Sequence, residues 1–134
     1  MEYKAVLPIF GFDGCERVSL EQIDDIFFRM ENLDDKSLPS FTLVMPTALR
    51  DDYNFDIPDH VVQKLQIENP EDVKVLNIMI LNTPIETSHV NFMAPLLFNT
   101  KKGLMGQFVI EPKEGQNFGI ADKLGDYIAK EDIS

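Results

Sequence analysis

The chain has 134 residues, the size of one domain, with 44% hydrophobic and 26% charged residues, the balance of a folded globular protein rather than a disordered one. Against 12 Lys and Arg stand 23 Asp and Glu, for a net charge of −11. That balance argues against direct binding to nucleic acid or to an anionic membrane surface, both of which need a basic footprint, and favours a positively charged protein partner.

Taken in chain order, apolar alternation points mainly to strands. Residues 3–9 (YKAVLPI) read as a short opening strand with Pro8 near its end. Residues 20–33 place Leu20, Ile23, Phe27 and Met30 at helical spacing, yet 26–33 also reads as a strand, and the pattern leaves both open. Phe41 to Met45 forms a strand stopped by Pro46. Residues 58–67 read as a short helix, with Pro58 at its start and Val61, Val62 and Leu65 on one face. The two strongest strands are 73–81 (VKVLNIMIL) and 90–98 (VNFMAPLLF). Pro95 inside the second implies an edge or a bulge. A further strand, 104–110, follows the apolar-free connection Asn99 to Gly103, a hairpin signal. Residues 119–130 are expected to form a closing helix with Leu124 and Ile128 four apart. The expected fold is a mainly β, small antiparallel β-barrel-like single domain spanning 1–134, with one or two short helices. Acidity is concentrated early: residues 1–72 hold 16 acids and 6 bases, residues 73–134 hold 7 and 6.

Little in the chain carries catalytic chemistry. A lone cysteine, Cys15, excludes an internal disulfide framework and fits a reducing compartment. The first residues lack a signal-peptide pattern. The stretch 75–90 is interrupted by Asn77, Pro84 and Glu86 and does not read as a membrane span, so a cytoplasmic protein is expected. His60 and His89 share no helical turn with each other or with Cys15, so no metal site is expected. The doublets Asp24/Asp25, Asp34/Asp35 and Asp51/Asp52 read as solvated charge, because adjacent side chains diverge. Gly103 to Gly106 lacks the Lys and Ser or Thr of a phosphate loop and reads as a hairpin with a strand glycine. Neither a catalytic residue nor a cofactor is expected.

Two groups of residues are candidates for protein contact. The segment Asp51-Asp52-Tyr53-Asn54-Phe55-Asp56 sets two aromatics among acids just outside a strand, and interfaces favour such anchors. Alternatively, Tyr53 and Phe55 fold back into the core. The second group is Asn91, Asn99 and Gln107, which flank the apolar runs of the strand-rich half and suit either a recognition edge or internal backbone pairing.

The block Asn91-Phe-Met-Ala-Pro-Leu-Leu-Phe-Asn99, then Lys101-Lys102-Gly103, then Gly106-Gln107-Phe-Val-Ile110, resembles the C-terminal signature of the FliW flagellar assembly factors. Weaker likenesses at Ile9 to Phe12, Ser40 to Pro46, around Tyr53 and at Val73 to Leu81 extend it over about residues 3–124. Phe92 and Phe98 are bulkier than the aliphatics usual in that signature. The resemblance implies a non-enzymatic adaptor with a small β-barrel-like fold. Similar proteins bind newly made flagellin in the cytoplasm, and also CsrA, a small RNA-binding dimer that represses flagellin translation. Free FliW holds CsrA off the messenger by a route not competitive with RNA, and accumulating flagellin captures FliW and releases CsrA. The free chain is expected to be monomeric. The alternative left by the residues alone is an acidic chaperone or adaptor for another basic or secreted protein.

Overall fold

In the computed structural model, residues 1–10, 16–34, 37 and 40–127 are described. Cys15, Asp35 and Ile128 therefore lie outside the described residues, as do Gly11 and Phe12 of the early FliW-like stretch. The strands are β1 (Glu2–Ala5), β2 (Arg17–Gln22), β3 (Phe27–Asn32), β4 (Phe41–Val44), β5 (Val73–Ile80), β6 (His89–Val90), β7 (Leu96–Asn99), β8 (Leu104–Gln107) and β9 (Asp122–Lys123). Among the described residues one α-helix, α1 (Asp59–Leu65), interrupts them after β4.

Hydrogen bonding runs in the order β4-β3-β2-β1-β8-β7-β5 and returns from β5 to β4, closing a seven-stranded barrel. Every ladder in the ring is antiparallel except one. β1 and β8 pair in parallel through Lys4–Leu104 and Ala5–Met105, so the expected antiparallel barrel is closed by a parallel seam. β6 and β9 extend the sheet from the far end of β5.

Period-two alternation explains why the barrel has two cores. One face of every barrel strand points inward and supplies Tyr3, Val18, Phe28, Met30, Leu43, Leu76, Leu96, Phe98 and Met105. The alternate positions Val44, Met79 and Leu97 point outward on one side of the barrel. There they meet Val61 and Leu65 of α1 together with Tyr53, Phe92, Phe108, Phe118 and Leu124. β7 is thus buried on both faces, which is why its sequence reads as a continuous apolar run.

Local chemistry decides the remaining elements. The 20–33 segment is a β2–β3 hairpin: Asp24 Oδ1 accepts the Ile26 and Phe27 amides at 2.9 and 2.8 Å and reverses the chain. The expected opening strand ends at Ala5, short of Ile9. The expected 90–98 strand is broken into β6 and β7, because Asn91 Oδ1 draws in the Met93 and Ala94 amides and Pro95 has no N–H to give a ladder. The 104–110 strand stops at Gln107, and Ile110 instead donates its amide to Met93 O at 2.8 Å. Residues 119–127 do not begin a helix. Gly119 and Gly125 weaken one, and the chain pairs with β6 as β9 before a single 3-10 turn at Leu124–Asp126. α1 falls where proline and the apolar face predict it.

Two glycines are fixed by geometry. Gly103 turns the β7–β8 hairpin at a φ of +70°. At Gly106 a Cβ would lie 2.6 Å from Leu7 Cβ, so glycine allows Leu7 to pack on β8.

Candidate protein-binding surface

The three polar signature residues are turned onto the backbone. Asn99, at the end of β7, is 1% exposed. Its Nδ2 donates to the Leu65 and Gln66 carbonyls at 2.8 and 3.1 Å, closing the C-terminus of α1 where Gln66 takes a left-handed conformation. Its Oδ1 accepts the Lys101 and Lys102 amides, both at 3.1 Å, and shapes the hairpin. Gln107 is buried at the end of β8. It donates to Ala94 O at 2.9 Å and accepts from Phe10 N–H at 2.8 Å, tying three chain segments together. Asn91 folds the 91–95 excursion as described, and its carbonyl accepts from Asn77 Nδ2 at 2.7 Å.

The 50–56 segment divides by residue type. Asp51, Asp52 and Asp56 are exposed, while Tyr53 is buried and Phe55 half-buried. The Tyr53 ring packs edge-on against Phe55, Phe92 and Phe118, with centroids 5.4, 5.6 and 4.9 Å away. Its hydroxyl donates to Phe92 O and accepts from Asn77 Nδ2 at 3.0 Å. Burial pushes the phenol well above the ordinary tyrosine range. Asp56 faces Lys113 Nζ at 3.4 Å across open surface.

Arg50 organises this face. Its Nε and Nη2 donate to the two carboxylate oxygens of Asp52, each at 2.6 Å, and that forked bond holds the Asp52 carboxyl below the usual carboxylate range. The guanidinium carbon sits 4.9–5.3 Å from the ring centroids of Phe118, Phe92 and Tyr127. Nothing in the sequence separates Arg50 from a surface base beside two acids. Its aromatic partners are 42 to 77 residues away, so only tertiary contact reveals its role.

Among the grooves on the described surface, two share Phe10 and Gln107 in their lining. The first lies beside α1, between Pro8, Pro58, His60, Val109 and Lys113. The second, of about 670 Å³, forms where the β4–β5 ladder ends at Thr42–Met79. Phe41, Ile78, Ile80, Leu81 and Ile120 line it, and none of its described lining residues is Asp, Glu, Lys or Arg. Phe10, Ile80, Leu81 and Ile120 are 47%, 65%, 54% and 72% exposed, a concentration of open apolar surface on a strongly acidic chain. The sequence held one signal for it: Ile80 and Leu81 are consecutive, and alternation cannot turn both inward.

His60 and His89 stand in different grooves. No group of three His, Cys, Asp or Glu side chains among the described residues is placed to hold a metal ion. No helix among the described residues is long and apolar enough to cross a membrane.

The sequence model of the FliW protein family matches residues 3–123. The chain is 41% identical over 130 residues to the flagellar assembly factor FliW of Sulfurimonas denitrificans, covering 97% of this chain and 100% of that protein. It is 40% identical over 127 residues to FliW 2 of Wolinella succinogenes, covering 95% and 92%. FliW 1 of the same organism is 33% identical over 128 residues, covering 96% and 98%. A crystal structure of the flagellar assembly factor FliW superposes with a TM-score of 0.80 at 24% identity, covering 92% of this chain and 84% of that one, which establishes the shared fold. The signature residues that tie the barrel together, and the match over nearly the whole chain, place this protein in the FliW family of flagellar assembly factors.

Proposed function

We propose that this chain is a non-enzymatic cytoplasmic adaptor that captures flagellin and, when free of it, binds the translational repressor CsrA and relieves its repression of flagellin mRNA. The observation that carries the reading is the uncharged apolar groove of Phe41, Ile78, Ile80, Leu81 and Ile120 on a chain of net charge −11. Such a groove suits an apolar segment of a protein partner. The surrounding acidity suits a basic RNA-binding protein, and steers encounter more than it holds the complex. Exposed Asp51, Asp52 and Asp56 belong to that acidic surface in this reading. Asn91 and Gln107, which line the groove, serve it by holding its backbone in place, while Asn99 supports the fold at the far end of β5 by closing α1. CsrA would be engaged away from its RNA site, and coupling between the two partners would come from overlapping sites or incompatible states.

Calorimetric titration with flagellin and, separately, with CsrA from the same organism tests this. Binding to both, with one displacing the other, is the expected result. Binding to flagellin alone would leave a subunit chaperone and remove the translational role. Binding to neither would overturn the proposal.

A further inference from the structure

The segment that brings Ile120 to the apolar groove is fastened by few backbone bonds. β9 has only two residues, paired with His89 and Val90. Beside that ladder, Phe92 N–H donates to Gly119 O at 2.9 Å and Leu124 N–H to Ser88 O at 2.8 Å. An attachment this short sits at the weak end of the local stabilities within a fold.

Arg50 supplies the missing grip from a distant part of the chain. Its side chain is only 11% exposed. Two of the three rings around the guanidinium, Phe118 and Tyr127, belong to the segment. So do both of the remaining acceptors, Asn117 O at 3.2 Å and the Tyr127 hydroxyl at 3.4 Å. Tyr127 in turn donates to Asp122 Oδ2 at 2.9 Å, which returns the network to β9. Asp52 holds the other edge of the guanidinium, so the planar fork is fixed from one side and grips from the other. A shielded cation over aromatic faces is held more strongly than one in water, and only the planar fork of a guanidinium can reach Asp52 on one edge and Asn117 O and the Tyr127 hydroxyl on the other.

We propose that Arg50 is a positioning residue for partner capture: it latches residues 117–127 onto the barrel and so sets the Ile120 wall of the apolar groove. The inference rests on that groove being the flagellin site. The test compares wild type with Arg50→Ala and Arg50→Lys by amide hydrogen exchange and by flagellin titration. The Phe92 and Leu124 amides, whose acceptors lie across the latched junction, should exchange at least about tenfold faster in both variants, with β7–β8 amides at wild-type rates. Flagellin Kd should rise about tenfold or more, and guanidinium at a sub-denaturing concentration, but not sodium chloride at the same ionic strength, should reverse both changes in Arg50→Ala. Unchanged exchange at Phe92 and Leu124 overturns the latch. Acceleration equal across the barrel also overturns it, because Arg50 would then serve general stability alone. Faster exchange with unchanged flagellin Kd overturns the link to the groove. If Arg50→Ala does not fold, Arg50→Lys carries the same comparison. A wild type that does not bind flagellin overturns the reading of the groove, while the exchange rates decide the latch without any partner.

Discussion

Residues 91–107 and residues 50–56 spend their polar side chains in opposite ways. In the first region Asn91, Asn99 and Gln107 face backbone groups that the broken β6–β7 strand, the end of α1 and the 91–95 excursion would otherwise leave unpaired. In the second, Asp51 and Asp56 face solvent while Tyr53 and Phe55 pack inward. The difference lies in what surrounds each side chain. Within an apolar run, a polar group is buried and has to find a partner there. In a loop, water is the partner. The polar residues of the family signature therefore serve the fold, and in the proposed reading surface recognition falls to the apolar groove and the exposed acids.

The largest expected effect lies where the two regions meet. Phe92 is wholly buried, beneath Arg50 and edge-on to Tyr53 and Tyr127. Phe92→Ala should cost about 3–5 kcal/mol of unfolding free energy, read by denaturant titration. Next comes Gln107→Ala, which strands Ala94 O and the Phe10 amide, at about 2–3 kcal/mol. A Gln107→Ala protein of wild-type stability that no longer bound flagellin would break the comparison, since it would make the signature glutamine a contact residue.

The sequence disclosed the ladders more readily than the breaks in them. β4, α1, β5 and the β7–β8 hairpin were legible because alternation, Pro46, Pro58 and the Asn99–Gly103 turn all agree. The 20–33 segment was ambiguous because Leu20, Ile23, Phe27 and Met30 fit the helical period while 26–33 also reads as a strand, and the deciding feature was the Asp24 turn. The closing helix failed because its i, i+4 spacing carried less weight than its glycines and the pairing of β9 with β6. Of the site, the Asp51–Asp56 acids and the inward option for Tyr53 were legible. The Arg50 cage was not, and the groove showed only in the adjacent Ile80 and Leu81. Both are made by residues far apart in the chain, from Phe10 to Ile120, with no local pattern to join them.

A smaller effect sharpens the inward half of the 50–56 region. Tyr53→Phe removes a hydroxyl that serves Phe92 O and Asn77 Nδ2, and should cost about 1–2 kcal/mol near neutral pH. Its pH dependence has a definite sign. The folded phenol is raised above its unfolded value of about 10, so its contribution is complete below that pH and is lost as pH rises through the folded value. Denaturation curves above about pH 10 should fall less steeply for Tyr53→Phe than for wild type, leaving a residual slope from Tyr3 and Tyr127, which are raised too.

The outward half should show the reverse: little stability and a large kinetic signature. Asp52 is excluded from the clean test because its carboxylate holds Arg50. Asp51 and Asp56 are free of that duty, and the Asp56–Lys113 pair at 3.4 Å is open to water on both sides and contributes little. The double variant Asp51→Lys and Asp56→Lys should keep wild-type stability to within about 0.5 kcal/mol. It removes two negative charges and adds two positive ones in the more acidic half of the chain, so the association rate with CsrA should fall. The wild-type rate should itself fall with added salt, and the variant's should fall less, because attraction between exposed charges is screened. Stopped-flow association at two ionic strengths reads both effects. A salt-insensitive wild-type rate would detach the acids from recognition and leave the apolar groove to carry both partners.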